Sequence, residues 1–585
     1  MINSIYERGD KMKKLFLFIL NLIKYVIKQI VFIILSFAII IGLIFYFIST
    51  NFPEEVEKTV EIVPDSYIEL SFPNGLQEKS NFENIVENIF ENRTTSYYDV
   101  IKAIKNAKDD DRIKGILIDL GGINLPMVYM EEIGKELEEF KKSNKKIYAY
   151  GEIITNGNYF LASYADEIVM PPSHSTIFNL SGYYTTIGYY KNLFDKIGIK
   201  FDVLHIGDYK TYSEEYIRDG ISKERKEELT RVLDYSLNYF IEKVAKNRNI
   251  DKYEFYNNLI EGKYVSRDSL VAKENKLVDE LEYYNQFLYN KKIENIISVA
   301  KYNKARIEKK TKDKIAIIYA DGAIDFETNY SDIDSITYSQ MEEELKLAEE
   351  DKNIKGIVLR VNSPGGLALI AELITERYSN TNKPIYVSIG RVAASGGYYI
   401  STVGKKIFIN NTSITGSIGV VSRIFNVNEF LDKLGIKLEE IKKGKYSDLY
   451  SLNNELTKEE RELIIESQKN TYNEFKSRVE KSRGIDSESL EKIAQGKIWI
   501  GKEAVENRLV DGIASLNETI KIMAKDLQLN NYSVIEVYKE TEGRNFVSRV
   551  TKYIKTNNIY DKLNSQLKYI ESYNKKILLM NEYDI

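Results

Sequence analysis

The sequence contains no cysteine, and this absence removes several classes of chemistry at once. Without thiols the chain has no thiolate nucleophile, no disulfide and no cysteine-ligated zinc site. Only two histidines occur, His174 and His205, and there is no HExxH motif, so a site with two or three histidine ligands is excluded in practice. A P-loop and an ATPase module are also missing. We therefore expect no metal and no cofactor.

The chain also has no broad excess of basic residues, because its net charge is −5. Nucleic acid is therefore not expected as a partner. A length of 585 residues is too great for one hydrophobic core, so two or more domains are predicted.

One uncharged apolar run, Ile30 to Ile48, has the length of a membrane span, about 28 Å as a helix. Six basic residues precede it and only Lys58 follows closely, which predicts a cytoplasmic N-terminus (residues 1–29) and a body outside the plasma membrane. A cleaved signal peptide is the alternative. We favour an uncleaved anchor, because the run is long and ends in Phe47-Ile48-Ser49-Thr50-Asn51, a poor cleavage site.

The body is an internal repeat, in which residues 95–285 align with residues 335–515. Four anchor segments recur in the same order with a slowly drifting offset: RIKGILIDL and NIKGIVLRV; KKIYAYGEIITNGNYFLAS and NKPIYVSIGRVAASGGYYIS; FDKIGIKFDVLHIGDYK and LDKLGIKLEEIKKGKYS; EGKYVSRDSLVAKENKLVD and QGKIWIGKEAVENRLVD. In each half, short apolar runs of strand length, such as GILIDL and GIVLRV, alternate with helical patterns. This predicts an α/β fold with parallel strands.

The two halves differ at two aligned positions that carry reactive side chains. Ser395 in AASGG stands where the first half has Asn156, and Lys210 in GDYK stands where the second half has Ser447. A lysine can take the proton of a serine hydroxyl only when it is neutral, and burial favours the neutral form. The alignment therefore predicts a site built from Ser395 of one half and Lys210 of the other.

The surroundings of both residues bear on that hypothesis. Asp208, Glu214 and Glu215 lie near Lys210 in sequence, and we expect them to face solvent, since inward carboxylates would favour the charged lysine. Ser395 should open a helix, and backbone N–H groups near Gly365, Gly366 and Gly396 are candidates to bind an oxyanion.

Ordinary interpretations compete with this one. A lone SGG is usually a turn or a helix cap, and a single lysine is usually a solvated charge. His205 is close to Lys210, but no acidic partner is identifiable, and we interpret it as an ordinary histidine. AASGG lacks the first glycine of the GxSxG elbow, which argues against an α/β-hydrolase.

Taken together, five motifs resemble the long form of signal peptide peptidase A (protease IV): VNSPGG, AASGGYYIS, TGSIG, GDYKTYSEEYIRDGIS and IWIGKEA. The resemblance implies tandem crotonase-like (Clp-protease-like) repeats after one transmembrane helix. It implies a Ser/Lys dyad with Ser395 as nucleophile and Lys210 as base, and it implies that Ser417 orients the lysine. It also implies a membrane-bound homotetramer that degrades cleaved signal peptides or other apolar peptides.

The resulting domain scheme has an anchor at 30–48, a first repeat at 60–310 that supplies the lysine, a second repeat at 311–530 that supplies the serine, and a C-terminal extension at 531–585. Two other functions stay open at this point. A CoA-dependent crotonase-fold enzyme would share the fold but would need neither an anchor nor the divided Ser and Lys. A non-catalytic membrane scaffold would have no reason to keep both residues.

Overall fold

The structure is a computed structural model that describes residues 61–73, 75–79, 95–121, 123–306, 311–326, 335–538 and 578–580. The predicted span Ile30–Ile48 lies outside these residues. Within the described ranges, no helix combines the length and the apolar character needed to cross a membrane.

The first repeat alternates strands and helices, as its sequence pattern predicts. Its strands are β1 (Ser66–Leu70), β2 (Ile113–Asp119), β3 (Lys146–Tyr150), β4 (Ile153–Thr155), β5 (Glu167–Met170), β6 (Ile177–Asn179), β7 (Lys200–Ile206), β8 (Glu280–Leu281) and β9 (Asn295–Ser298). Its helices are α1 (Tyr97–Ala107), α2 (Met127–Lys141), α3 (Asn156–Ala162), α4 (Lys191–Ile197), α5 (Lys223–Arg248), α6 (Lys252–Ile260), α7 (Ser269–Glu274), α8 (Tyr284–Lys291) and α9 (Val299–Ala305), with a 3₁₀ turn at Glu214–Tyr216.

The second repeat follows the same alternation. Its strands are β10 (Asp313–Asp321), β11 (Ala323–Ile324), β12 (Ser335–Ile336), β13 (Ile354–Ser363), β14 (Gly365–Leu367), β15 (Ile385–Ala394), β16 (Lys406–Ile409), β17 (Ile414–Gly416), β18 (Val420–Asn426), β19 (Ile498–Ile500) and β20 (Gly512–Ile513). Two further strands, β21 (Tyr532–Val537) and β22 (Leu578–Met580), lie beyond residue 530. Its helices are α10 (Tyr338–Glu350), α11 (Ala368–Ser379), α12 (Gly396–Ser401), α13 (Asn428–Lys433), α14 (Lys458–Arg483), α15 (Ser487–Ile493), α16 (Gly501–Glu506) and α17 (Leu516–Asp526).

The two main sheets have the same strand order. The first is β8-β5-β3-β2-β1-β9, and the second contains β20-β16-β15-β13-β10-β21, with parallel pairing throughout both series. Helices lie between the strands that follow one another in each series, as the crossover connections of parallel neighbours require. The α/β prediction with parallel sheets is confirmed.

Strand β21 lies beside β10 at the edge of the second sheet, as β9 lies beside β1 at the edge of the first. Residues 532–537 therefore belong to the second main sheet, although the sequence predicts that a separate C-terminal extension begins at residue 531. The difference arises because the alignment of the repeats ends before this strand.

A buried ion-pair network joins the repeats. Arg360 of β13 is completely buried and bonds both carboxylate oxygens of Glu132 on α2, at 3.1 and 2.9 Å, and the Glu78 carboxylate at 3.1 Å. Glu132 also accepts bonds from the Asn410 side chain and the Leu516 N–H, both of the second repeat. Carboxylates of the first repeat thus bind polar groups inside the second repeat. This network fixes the position of one main sheet relative to the other.

The repeats also share a third sheet, in the order β12-β11-β14-β22-β18-β7. Strand β18 of the second repeat pairs antiparallel with β7 of the first, from Val420 opposite Ile206 to Asn426 opposite Lys200. Ser417 lies just before β18 and Lys210 lies just after β7. This pairing therefore brings the two sequence-predicted halves of the site together.

Candidate active site

Ser395 occupies the sharp junction between β15 and α12. Its backbone has φ 54° and ψ −120°, a conformation that a residue with a Cβ rarely adopts, and its N–H donates to the Gly416 carbonyl at 2.8 Å. The side chain is fully buried and stands at the start of a helix, where N–H groups have no intrahelical acceptor. The predicted helix start at this serine is confirmed.

Lys210 reaches Ser395 within the same chain. Lys210 Nζ lies 2.8 Å from Ser395 Oγ and 2.9 Å from both the carbonyl and the hydroxyl oxygen of Ser417. A neutral amine has one lone pair and two N–H groups. It can therefore accept the serine proton while it donates to both oxygens of Ser417.

Burial lowers the pKa of Lys210 to about 7, because the side chain is 2% exposed and the ammonium form loses its hydration. The carboxylate of Glu228 acts in the opposite direction and limits this shift. Near neutral pH a substantial fraction of the amine is therefore unprotonated, as a general base requires.

One short segment, Gln495–Lys497 before β19, holds both halves of the site in place. The Gln495 carbonyl accepts the Tyr209 N–H at 2.9 Å, and the Lys497 carbonyl accepts the Ser417 N–H at 2.7 Å. A Cβ on Gly496 would stand 2.4 Å from the Lys210 nitrogen, so only glycine fits there. This segment is not among the site residues predicted from the sequence, although its glycine recurs in the fourth anchor of both repeats as EGK and QGK.

The acidic residues near Lys210 differ from the prediction. Asp208 is exposed, as expected, but Glu214 and Glu215 are buried. Arg225 Nη1 donates to Glu215 at 3.0 Å, and the Tyr189 hydroxyl donates to Glu214 at 2.6 Å. The prediction that these two glutamates face solvent is wrong, because Arg225 supplies a buried counter-charge that sequence distance alone did not reveal.

The three candidate glycines lie around Ser395. A Cβ on Gly396 would meet the Gly366 nitrogen at 3.2 Å and the Gly365 Cα at 3.3 Å, so the three backbones are adjacent. The N–H of Gly365 donates to the Ser363 hydroxyl at 3.2 Å. Gly366 and Gly396 are therefore better placed to donate to an incoming oxygen than Gly365.

The two histidines lie away from this chemistry. Both are exposed; His205 Nδ1 lies 2.9 Å from the Gly207 carbonyl oxygen, and His174 Nδ1 lies 2.7 Å from an Asp268 carboxylate oxygen. Among the residues that the structure describes, no cluster of three or more His, Asp or Glu side chains is arranged to hold a metal ion.

The arrangement is that of an activated nucleophile. A buried hydroxyl lies within hydrogen-bond distance of a buried amine whose pKa is close to neutral, and a third residue fixes the amine. Such a pair can transfer an acyl group without metal or nucleotide.

Comparison with known proteins agrees with this chemistry. Residues 139–296 and 377–530 match peptidase family S49, one segment in each repeat. The chain is 31% identical over 453 residues to Protease 4 of Haemophilus influenzae, covering 73% of this chain and 72% of that protein. It is 30% identical over 458 residues to Protease 4 of Salmonella typhi, with coverages of 75% and 73%.

A plant relative extends this similarity. The chain is 30% identical over 432 residues to the chloroplastic serine protease SPPA of Arabidopsis thaliana, which covers 71% of this chain and 63% of that protein. The family match spans both repeats and the bacterial similarities cover most of each partner. The chain belongs to peptidase family S49 and is a serine protease.

Proposed function

We propose that the chain is an endopeptidase that uses Ser395 as nucleophile and Lys210 as general base. The observation that carries this proposal is the 2.8 Å separation of Lys210 Nζ and Ser395 Oγ at a buried position. Lys210 takes the hydroxyl proton as Ser395 attacks the scissile carbonyl, and it returns that proton to the leaving amine. Water, activated by the same lysine, then hydrolyses the acyl-enzyme.

The neighbouring groups have supporting roles. Ser417 orients the Lys210 amine through its carbonyl and hydroxyl oxygens. The N–H groups of Gly366 and Gly396 bind the oxyanion. The shared six-strand order of the two main sheets supports the assignment of each half as a crotonase-like unit.

Signal peptides left in the membrane, or other apolar peptides, are the proposed substrates. The support is the resemblance of the five motifs to signal peptide peptidase A. A CoA-dependent enzyme of the same fold is disfavoured, because the family match and the relatives are peptidases. A non-catalytic scaffold is disfavoured by the intact pair of Ser395 and Lys210.

Cleavage of a leucine-rich, signal-peptide-like fluorogenic substrate by the detergent-solubilised chain tests the proposal. Ser395→Ala should lower kcat by about 10⁴-fold or more, since the nucleophile is lost. Asn156→Ala changes the aligned residue of the first repeat and is the matched control, which should keep its rate. A Ser395→Ala protein with wild-type turnover would exclude Ser395 as the nucleophile. If no folded form cleaves the substrate, the CoA-dependent alternative is tested next by CoA binding.

The location is a further part of the proposal. We expect Ile30–Ile48 to anchor the chain in the plasma membrane with residues 1–29 in the cytoplasm and both repeats outside. External protease added to intact spheroplasts should then degrade the body, whereas a tag at the N-terminus should be protected. Protection of the body from the protease would show the opposite orientation in the membrane.

A homo-oligomer is proposed from the repeat itself. Residues 183–189 align with strand β18, and residues 437–443 align with strand β7. The aligned strands β18 and β7 pair within the chain, whereas residues 183–189 and 437–443 form no strand. Pairing of residues 183–189 of one copy with residues 437–443 of the next would repeat the internal contact between chains.

Exposure of apolar side chains supports this contact. Tyr184 is 88% exposed and aligns with Val421, which is 1% exposed; Ile441 is 99% exposed and aligns with Leu204, which is 9% exposed. The aligned positions are thus covered where β7 and β18 pair and uncovered in residues 183–189 and 437–443. Head-to-tail contacts of this kind form a ring when the rotation between successive copies closes, and the family resemblance suggests a ring of four copies.

Introduced cysteines test this contact in a chain that has none of its own. Arg423 lies opposite Val203 within the chain, so the aligned Thr186 and Glu440 should lie opposite each other between copies. The Thr186→Cys, Glu440→Cys variant should form disulfide-linked multimers up to a closed tetramer, measured by denaturing gel and light scattering. The Val203→Cys, Arg423→Cys variant should link only within one chain. A monomer with no links between copies would contradict the assembly.

A further inference from the structure

The third sheet contains a strand from the end of the chain. Residues Leu578–Met580 form β22, which lies between β14 and β18 and pairs antiparallel with both. Gly365, Gly366 and Leu367 lie opposite Met580, Leu579 and Leu578, and Val421 lies opposite Leu578. Without β22, strands β14 and β18 have a strand-wide slot between them.

Both walls of this slot begin at the reactive pair. Gly366 of β14 lies beside Gly396, the residue that follows Ser395. On the other wall, β18 begins three residues after Ser417, and a Cβ on Gly419 would stand 3.1 Å from Lys210 Cδ. The slot is therefore the place where an extended peptide would pass Ser395 with backbone hydrogen bonds on both sides.

Strand β14 is suited to a backbone occupant. Gly366 has φ 151°, and a Cβ there would stand 2.0 Å from the Ile324 carbonyl oxygen, so this position carries no side chain. The segment opposite it, Leu578-Leu579-Met580, is uncharged and apolar in sequence. It has the same character as the apolar peptides proposed as substrates.

We propose that Leu578–Met580 occupy the substrate position of the cleft and compete with peptides for it. This inference rests on the proposed function, because it takes the slot beside Ser395 as the peptide site. The tail is attached to the body, so its local concentration is of millimolar order. With a dissociation constant of about 100 µM for the tail peptide, removal of the tail should raise kcat/KM about tenfold, chiefly through KM.

The test uses the full chain and the chain ending at residue 570. The shorter chain should show the tenfold gain, and a peptide of residues 572–585 added in trans should reverse it competitively. The same peptide with Leu579→Pro is the matched control, because proline lacks the N–H that a strand paired on both sides needs. An unchanged or lower kcat/KM in a folded shorter chain, or non-competitive inhibition, would overturn the inference.

Two further measurements distinguish failure of the tail proposal from failure of the proposed protease function. If the shorter chain does not fold, Leu579→Pro in the full chain replaces it and should give the same gain. If no form cleaves, the proposed function fails. Binding of the fluorescent 572–585 peptide to the shorter Ser395→Ala chain still reports on the slot by anisotropy. Weaker binding of the proline peptide would support the inference, and equal binding of the two peptides would overturn it.

Discussion

The two repeats share one strand order but carry different side chains at the two aligned positions of the site. In the second repeat, Ser395 presents a hydroxyl to an amine; in the first, the Asn156 side-chain oxygen accepts the Ser181 N–H at 2.8 Å. Lys210 is buried, whereas its counterpart Ser447 is exposed. The comparison teaches that the shared sheet alone does not create a Ser–Lys contact, which also needs the two side chains and a buried position for the lysine.

After the loss of Ser395, the largest effect expected on this comparison comes from the loss of the lysine. Lys210→Met should lower kcat about 10³-fold, because the base is lost while the apolar part of the side chain is kept. Ser447→Ala alters the aligned position of the second repeat and should leave kcat within twofold. Peptide hydrolysis under saturating substrate measures both. A Lys210→Met enzyme that keeps its rate would show that another group accepts the proton.

The next effect concerns stability across the repeat boundary. Arg360→Met should lower the free energy of unfolding by about 3–5 kcal/mol, because the carboxylates of Glu78 and Glu132 stay buried without their partner. Asp119 aligns with Arg360 and is only partly buried, bonded to the Ser71 hydroxyl and the Gly121 N–H. Asp119→Asn should cost about 1 kcal/mol or less. Denaturant unfolding compares the two; equal losses would refute the role of the network.

The pH dependence follows from the pKa of Lys210, about 7. The pKa is lowered, so the ammonium form, which cannot accept a proton, dominates below pH 7. We expect kcat/KM to rise about tenfold per pH unit up to pH 7 and then to level off. Glu228→Gln removes the carboxylate that raises this pKa, so the inflection should move to lower pH. An inflection that does not move would exclude Glu228 from the electrostatics of the site.

The smallest effect concerns the orientation of the amine. Ser417→Ala removes one of the two Ser417 oxygens bonded to Lys210 Nζ and should lower kcat about tenfold. In a Lys210→Met background the same substitution should have no further effect, since the two residues act as a unit. An additive loss of kcat in the double variant would show that Ser417 does not act through Lys210.

Much of the fold follows from local pattern in the sequence. The runs GILIDL, IYAYGE, GIVLRV and IYVSIG coincide with β2, β3, β13 and β15, because buried parallel strands are apolar along their whole length. Alignment of the repeats also singled out Ser395 and Lys210, which the structure places in contact.

The remaining features depend on distant contacts that no local pattern encodes. The burial of Glu214 and Glu215 depends on Arg225, and the position of the Lys210 loop depends on Gln495 and Gly496. The pairing of β7 with β18 likewise joins two halves that each look self-contained in sequence. Strand β22 was hidden for the same reason, since its partners precede it by more than 150 residues.

The order of the site along the chain has a consequence for biosynthesis. Lys210 is made first, Ser395 follows, and Gly496, which leaves room for the lysine backbone, comes later still. A chain still in synthesis therefore has the lysine before the serine, and the lysine loop is held in place only after residues 495–497 have been made. On the proposed mechanism, an incomplete chain that ends before residue 395 has a base without a nucleophile and is expected to cleave nothing.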